Sequence, residues 1–100
     1  RIAIARAVIL KPELLVPTLA AGAAGNWFLD KRGATMMASN FTPGFKSALL
    51  LKDLHIVKAM AAQAGIRATV IEQSLADYAE LVAMDMGEAD TSALIALKRG

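Results

Sequence analysis

The longest uninterrupted helical pattern in the sequence covers residues 45–64. Neither Pro nor Gly occurs in it, and its apolar residues recur at the three- and four-residue intervals of one helix face. The main stripe consists of Leu50, Leu54, Val57, Ala61 and Ala64, with Leu49, Ile56 and Met60 beside it. Gly65 stands where a left-handed C-terminal cap is expected. The pattern predicts one long helix whose apolar stripe must be covered by other segments.

The remaining segments also have helical rather than alternating periodicity. Helices are predicted over residues 1–10 and from residue 12 to a glycine at 22 or 25. A short helix is predicted over residues 26–31, with Gly33 as the break, and a longer one over residues 69–86, with Gly87 as the stop. A last helix is predicted after an N-cap at Asp90. In the 69–86 helix the inward residues are predicted to be Ile71, Leu75, Tyr78, Leu81 and Val82. Residues 39–44 are rich in turn formers and predict a loop. The sequence therefore predicts an all-α fold, with residues 1–100 forming a single domain.

The composition indicates a domain that needs a partner. Hydrophobic residues make up 56% of the chain and charged residues 20%, whereas soluble domains average about 45–50% apolar residues. A chain of this size has a modest core, so part of its apolar surface should stay exposed until a second domain or subunit covers it. The chain has no initiator Met and is expected to be a fragment of a longer protein.

Several function classes conflict with the composition. The net charge of +2 is small and scattered, which argues against nucleic acid as a partner. The longest uncharged run, residues 14–29, contains Pro17, Gly22 and Gly25 and is shorter than the roughly 20 residues that a membrane-spanning helix needs. The sequence contains no cysteine, so neither disulfide nor thiol chemistry is expected. His55, the single histidine, has no other ligand type at metal-binding spacing, and no metal site is predicted.

Lys52 and Asp53 interrupt the apolar pattern of the long helix. Adjacent helical residues point about 100° apart, so these two side chains cannot pair side by side, and Lys52 lies roughly 200° from Leu50, away from the stripe. One interpretation is an ordinary solvated helix face. The other is a cationic group that binds a cofactor phosphate or a substrate carboxylate, with Asp53 orienting it. These residues alone leave both interpretations open.

A set of short motifs follows the order and spacing of a known enzyme family. They are Pro12-Glu13-Leu14-Leu15, Asn26-Trp27-Phe28-Leu29 with Met36 or Met37, Phe41-Thr42-Pro43-Gly44-Phe45, Leu51-Lys52-Asp53-Leu54, Gly65, Tyr78, Gly87 and Asp90-Thr91-Ser92-Ala93-Leu94. From residue 12 to just beyond residue 92, the chain resembles the C-terminal domain of the β-hydroxyacid dehydrogenases. That family includes 3-hydroxyisobutyrate dehydrogenase and tartronate semialdehyde reductase. The resemblance implies a multi-helix domain like the C-terminal domain of 6-phosphogluconate dehydrogenase-like proteins.

The resemblance also implies a cytoplasmic oxidoreductase that uses NAD or NADP and acts on a small 3-hydroxy acid. Lys52 would contact the nicotinamide cofactor, and Phe45 and Asp53 match family positions near the active site. The family's catalytic lysine and dinucleotide-binding glycine motif would lie upstream of Arg1, in an N-terminal Rossmann domain. No catalytic residue is therefore assigned in this chain, which alone should be inactive and should pack against the Rossmann domain and a second subunit of a homo-oligomer. Residues 1–11 depart from the family pattern and are interpreted as foreign or divergent.

Two other hypotheses come from different classes of protein. A standalone helical interaction module would use the apolar face to bind other proteins. A fragment of an ABC transporter ATPase is suggested by residues 1–15, which resemble the helix after the signature motif of that family. The ABC hypothesis requires a strand after Leu15. The dehydrogenase hypothesis requires Phe45, Lys52 and Asp53 to face a common cleft.

Overall fold

A computed structural model describes residues 12–99, and the chain divides into two compact units, Arg1–Asn40 and Phe41–Gly100. Over residues 12–99 the backbone forms helices and turns and contains no strand. The first unit contains α1 (Pro12–Ala20) and α2 (Trp27–Met37), and the second contains α3 (Ser47–Ala64), α4 (Thr69–Ala83), a 3₁₀ turn (Thr91–Leu94) and α5 (Ile95–Lys98). The prediction of a helical fold without strands is confirmed for these residues. The helix predicted over residues 1–10 lies outside them, and the single domain over residues 1–100 stays a prediction.

The two helices of the first unit pack closely because α2 has a glycine at their contact. Gly33 is buried, and a Cβ atom at this position would overlap Cγ1 of Val16 on α1. The prediction that Gly33 breaks the helix is wrong, since α2 continues to Met37. A glycine within a helical pattern can serve close packing instead of termination. At the start of α2, the side-chain oxygen of Asn26 accepts a hydrogen bond from the Leu29 N–H at 2.9 Å and caps the helix.

The conformation of α1 decides one of the hypotheses drawn from the sequence. Helix α1 begins at Pro12 and continues through Leu15 to Ala20. Proline is favoured in the first turn of a helix because its missing N–H has no intrahelical partner there. The strand that the ABC transporter hypothesis requires after Leu15 is therefore replaced by helix, and that hypothesis is wrong.

The core of the second unit lies between α3 and α4. Its buried apolar residues are Leu54, Tyr78, Leu81 and Ala93. The partly buried residues that pack against them are Phe41, Leu50, Leu51, Ile71, Leu75, Met86, Ala89, Leu94 and Leu97. The predicted inward face of α4 is confirmed, because every residue assigned to it is buried or partly buried.

Helix α3 buries less of its apolar stripe than its sequence predicts. Leu54 is buried, and Leu50 and Ala61 are half-buried, in agreement with their spacing. Other apolar side chains remain 41% to 62% exposed, and we call them the α3 apolar face: Leu49, Ile56, Val57 and Met60. Val57 and Ala64 were predicted to lie inward and are both exposed, because α4 covers only part of the stripe. No helix within residues 12–99 is both long and apolar enough to cross a membrane.

Glycines at the ends of α3 and α4 have different roles. Gly65 caps α3 in the left-handed conformation at φ 68°, which confirms the prediction. Helix α4 ends at Ala83 rather than at residue 86, and it is Asp85 that takes a left-handed conformation, at φ 67°. Gly87 is therefore not the stop. A Cβ atom at Gly87 would lie 3.3 Å from Cβ of Ala48, so the glycine allows this loop to approach α3.

Replacing Gly33 with Ala should lower the free energy of unfolding by about 1–3 kcal/mol, because the added methyl group overlaps the stiff, β-branched Val16 side chain. Urea unfolding followed by circular dichroism measures the change. Gly22→Ala is the matched control, since the nearest atom to its added Cβ is the Leu19 carbonyl oxygen at 3.6 Å. Equal stability of the two variants would contradict the close contact between α1 and α2.

Candidate functional site

The carboxylate of Asp90 joins two distant segments of the second unit. This residue is 1% exposed. Its Oδ1 accepts hydrogen bonds from the N–H groups of Gly44 at 2.9 Å and Phe45 at 3.0 Å. Its Oδ2 accepts hydrogen bonds from the N–H of Ser92 at 3.0 Å and from the hydroxyl of Ser92 at 2.5 Å. We call these four residues the Asp90 junction, which attaches the segment before α3 to the 3₁₀ turn.

Hydrogen bonding keeps the Asp90 carboxyl ionised despite its burial. Burial by itself would raise the pKa of Asp90, but the hydrogen bonds from Ser92, Phe45 and Gly44 outweigh it and hold the pKa well below the ordinary value. An ionised carboxylate can only accept hydrogen bonds, and the groups that face it in the junction are all donors. In the Asp90 junction, the cost of removing the Asp90 carboxylate from water is therefore offset by the hydrogen-bond donors that converge on it.

Helix α3 begins at Ser47 because a distant segment caps it. The N–H of Ser47 donates to the Ala89 carbonyl at 2.9 Å, and the N–H of Ala48 donates to the Gly87 carbonyl at 2.8 Å. The buried hydroxyl of Ser47 also donates to the carbonyls of Ala89 and Asp90, each at 3.1 Å. The first N–H groups of a helix have no hydrogen-bond partners within the helix. Here the Ala89 and Gly87 carbonyls accept from the first two N–H groups of α3. The helix start predicted at residue 45 is therefore wrong by two residues.

Phe45 is held at both of its backbone polar groups. Its N–H donates to Oδ1 of Asp90 at 3.0 Å, and its carbonyl accepts a hydrogen bond from the N–H of Thr91 at 2.9 Å. The next residue, Lys46, pairs with Asp90 in an isolated antiparallel bridge. Phe45 as a residue nevertheless remains 40% exposed. This predicted site residue thus has an anchored backbone and an accessible ring.

Lys52 and Asp53 lie within the first two turns of α3, and both are exposed. The following residue, Leu54, is buried, so Lys52 and Asp53 lie on the exposed side of the helix and Leu54 lies on the side that faces the core. The prediction that Lys52 lies away from the apolar stripe is confirmed. Among the side chains of residues 15–99 Lys52 makes no ion pair, whereas Lys58 on the same helix lies 3.8 Å from Glu72. All three predicted site residues are exposed at or near the start of α3, and their facing a common cleft stays a prediction.

Tyr78 connects α4 to the same 3₁₀ turn. Its hydroxyl donates a hydrogen bond to the Thr91 carbonyl at 2.8 Å. Burial raises the pKa of Tyr78, and the negative charges of Asp90 and Asp77 raise it further. The hydroxyl consequently stays protonated and able to donate. Within the described residues, no group of His, Cys, Asp and Glu side chains is arranged to hold a metal ion, and His55 is exposed.

Sequence reasoning assigned Asp90 the role of an N-cap and missed its larger role. The N-cap is confirmed, but the bonds to Gly44 and Phe45 connect residues 46 and 45 positions apart, and such bonds leave no local pattern. The sequence does contain one indication of a long-range hydrogen bond at the start of α3, in the position of Ser47. It stands seven residues before Leu54, on the same side of the helix, and a polar residue at a core position needs a hydrogen-bond partner.

Comparison with known proteins places this chain among oxidoreductases. The protein family described as NAD-binding of NADP-dependent 3-hydroxyisobutyrate dehydrogenase matches residues 1–98. An uncharacterized oxidoreductase of Synechocystis sp. is 34% identical over 73 residues, which cover 73% of this chain and 25% of that protein. The uncharacterized oxidoreductase YkwC of Bacillus subtilis is 38% identical over 47 residues, which cover 47% of this chain and 16% of that protein. The chain thus spans a quarter or less of the length of these curated relatives.

Two solved structures share the fold. A 3-hydroxyisobutyrate dehydrogenase from Salmonella typhimurium superposes with a TM-score of 0.81 at 21% identity, over 95% of this chain and 34% of that one. The 3-hydroxyisobutyrate dehydrogenase of Mycobacterium tuberculosis, solved with L-serine, gives a TM-score of 0.74 at 26% identity, over 99% of this chain and 38% of that one. Each of these structures contains far more chain than the part matched here.

Replacing Asp90 with Asn should lower the free energy of unfolding at pH 7 by about 3 kcal/mol, because an amide has one acceptor oxygen for donors that approach from two sides. Chemical denaturation measures the loss. Asp85→Asn makes the same chemical change at an exposed residue whose left-handed backbone Asn tolerates, and it should be nearly neutral. A junction of no energetic importance would make the two variants equally stable.

The stability difference between the wild type and Asp90→Asn should depend on pH. The pKa of Asp90 is lowered in the folded protein, so its contribution is fully present above the unfolded pKa of about 4 and is lost as the pH falls below that value. The difference in unfolding free energy should therefore be constant from pH 7 to about 5 and should shrink between about pH 4 and 2. Urea unfolding at a series of pH values tests this, and a difference that grows on acidification would contradict it.

Proposed function

The chain belongs to the family of NAD-binding regions of NADP-dependent 3-hydroxyisobutyrate dehydrogenase, and we propose that it is the cofactor-contacting and oligomerisation domain of an NAD- or NADP-dependent 3-hydroxyacid dehydrogenase. The proposed domain corresponds to the helical C-terminal domain of 6-phosphogluconate dehydrogenase-like proteins. Its reaction would be reversible hydride transfer between the cofactor and a small 3-hydroxy acid.

The observation that carries the proposal is the exposed set of Phe45, Lys52 and Asp53 at the start of α3, in a chain that matches this family over nearly its whole length. The three side chains supply an apolar ring, a mobile cation and a carboxylate. A nicotinamide cofactor and a hydroxy acid together present a planar ring, anionic groups and a hydroxyl. The two sets of groups are chemically complementary.

In the proposed site Lys52 binds the nicotinamide cofactor. Its ammonium is a point charge with three donors, and binding would break no ion pair among the side chains of residues 15–99. Phe45 and Asp53 lie near the reacting atoms in this proposal. The Phe45 ring excludes water from one side of the substrate, and the Asp53 carboxylate accepts a hydrogen bond from a polar group of the substrate.

The cofactor would supply the hydride acceptor or donor when bound. Residues 12–99 contain no strand that leads into a glycine-rich turn, so they fit a role in contacting the cofactor rather than in cradling its phosphates. The dinucleotide cradle and the family's catalytic lysine belong, in this proposal, to a Rossmann domain in the rest of the protein. The length of the relatives supports this division, since this chain covers only a quarter of one of them.

The proposed partners are the Rossmann domain and a second copy of the protein. The α3 apolar face supports such a partner, because residues such as Ile56 and Met60 are 51% and 62% exposed. Solvent-exposed apolar side chains in a row along a helix favour burial against another surface. The substrate class has separate support, since L-serine, with which the Mycobacterium tuberculosis relative was solved, is itself a 3-hydroxy acid.

The alternative function is a standalone helical interaction module. The same α3 apolar face favours it, because an uncovered helix face can bind a partner without any catalytic role. The two functions differ in what they require of Lys52. The module leaves it as a solvated surface charge, whereas the dehydrogenase domain needs it for cofactor affinity.

Replacing Lys52 with Ala should raise the Kd for reduced nicotinamide cofactor about tenfold or more, because a hydrogen bond to a charged group contributes about 1.5–3 kcal/mol. The measurement is a nicotinamide fluorescence titration of the longest protein that the surrounding coding sequence encodes, with NADH and NADPH in separate arms. Lys58→Ala removes an exposed cation from the same helix at a site paired with Glu72, and its Kd should match the wild type. Equal Kd values for both variants would remove Lys52 from the site, and a full-length protein that binds neither cofactor would favour the interaction module.

A further inference from the structure

Phe45 combines an anchored backbone with an exposed ring, and the anchor is a buried carboxylate. The Phe45 N–H and the Gly44 N–H both donate to Oδ1 of Asp90, at 3.0 Å and 2.9 Å, and the Phe45 carbonyl accepts from Thr91 at 2.9 Å. Asp90 is 1% exposed, while Phe45 is 40% exposed. A ring placed this way adds little to the core. Its fixed position would instead favour the binding of a ligand that contacts the surface at Phe45.

We propose that Asp90 is a positioning residue for substrate binding, acting through the backbone of Phe45. The carboxylate accepts from the N–H groups of Gly44 and Phe45, which belong to the two peptide groups that lead into Phe45. It thereby sets where the Phe45 ring stands relative to Lys52 and Asp53 on α3. This inference rests on the proposed function and adds to it a residue that does not itself contact the substrate.

The segment around Phe45 needs such an anchor. Residues 42–46 are all exposed and precede the first turn of α3, so they bury little apolar surface that could fix them. An irregular exposed segment samples many backbone conformations, and ordering it at the moment of binding weakens the affinity. The Asp90 junction orders the segment during folding, before any ligand arrives. The substrate then meets a preorganised ring.

The chemistry of the junction requires a carboxylate. Gly44 and Phe45 approach one oxygen of Asp90, and Ser92 approaches the other with both its N–H and its hydroxyl. Asparagine has one acceptor oxygen and an amide group that donates. In Asp90→Asn either the Phe45 side or the Ser92 side must therefore face a donor. The segment that carries the ring then keeps the bond from Thr91 to the Phe45 carbonyl but loses, or holds less firmly, the bonds at the N–H groups of Gly44 and Phe45.

A double-mutant cycle tests the proposal on the full-length protein, with 3-hydroxyisobutyrate and L-serine as probe substrates. Asp90→Asn should raise KM for the hydroxy acid about tenfold and change kcat less than twofold, at a temperature where the variant is fully folded. In a Phe45→Ala background the same substitution should change KM less than twofold, because the ring through which Asp90 acts is already absent. Amide hydrogen exchange in the Asp90→Asn protein should be faster at Gly44 and Phe45 than in the wild type.

Ser47→Ala is the matched control for lost stability. It removes buried hydrogen bonds to the Ala89 and Asp90 carbonyls but leaves the Asp90 carboxylate and both backbone bonds of Phe45 in place. Its KM should stay within twofold of the wild type. Should Asp90→Asn fold too weakly to assay, Ser92→Ala takes its place in the cycle and should raise KM about twofold to threefold, again only when Phe45 is present.

The outcomes separate this inference from the function on which it rests. Additive effects of Asp90→Asn and Phe45→Ala on KM in an active protein would overturn the role of Asp90 and leave the dehydrogenase proposal standing. A KM increase in Ser47→Ala equal to that in Asp90→Asn would also overturn it, since both would then act through stability alone. A wild-type protein that turns over no 3-hydroxy acid would overturn the proposed function itself.

Discussion

One buried carboxylate determines where the longest helix of the second unit, α3, begins. Ionised Asp90 would be costly to bury alone, and the converging donors from Gly44, Phe45 and Ser92 compensate the lost hydration. Because the donors come from segments far apart in sequence, the carboxylate is satisfied only when the loop before α3 and the 3₁₀ turn come together. The start of α3 then follows, since the same contact brings the Ala89 carbonyl to the N–H of Ser47.

The Asp90 junction matters more in this chain because the apolar core is small. The buried apolar residues of the second unit are Leu54, Tyr78, Leu81 and Ala93, and much of the apolar surface of α3 stays exposed. A hydrogen-bonded joint can fix geometry that a core of this size does not. In the function proposed above, the exposed face packs against another domain or subunit.

The predictions from sequence were most accurate where local chemistry decides the structure. The helical fold, the left-handed cap at Gly65 and the N-cap at Asp90 all depend on a few adjacent residues, and the structure confirms them. The errors occurred where a distant contact overrides local preference. Gly33 lies inside a helix because Val16 approaches it there, and residue 45 lies outside α3 because Asp90 and Thr91 hold Phe45 in place.

The sequence by itself determined the helical periodicity, the family and the three residues proposed for the site, since these depend on residue types and their spacing. Only the tertiary structure decided how Phe45 is anchored and how much of α3 is covered. The physical reason is that the bonds to Asp90 join residues 45 and 46 positions apart, and the exposure of the α3 apolar face depends on which helix packs beside it. The Lys52-Asp53 pair could be located from sequence alone, but the carboxylate that organises the segment before it could not.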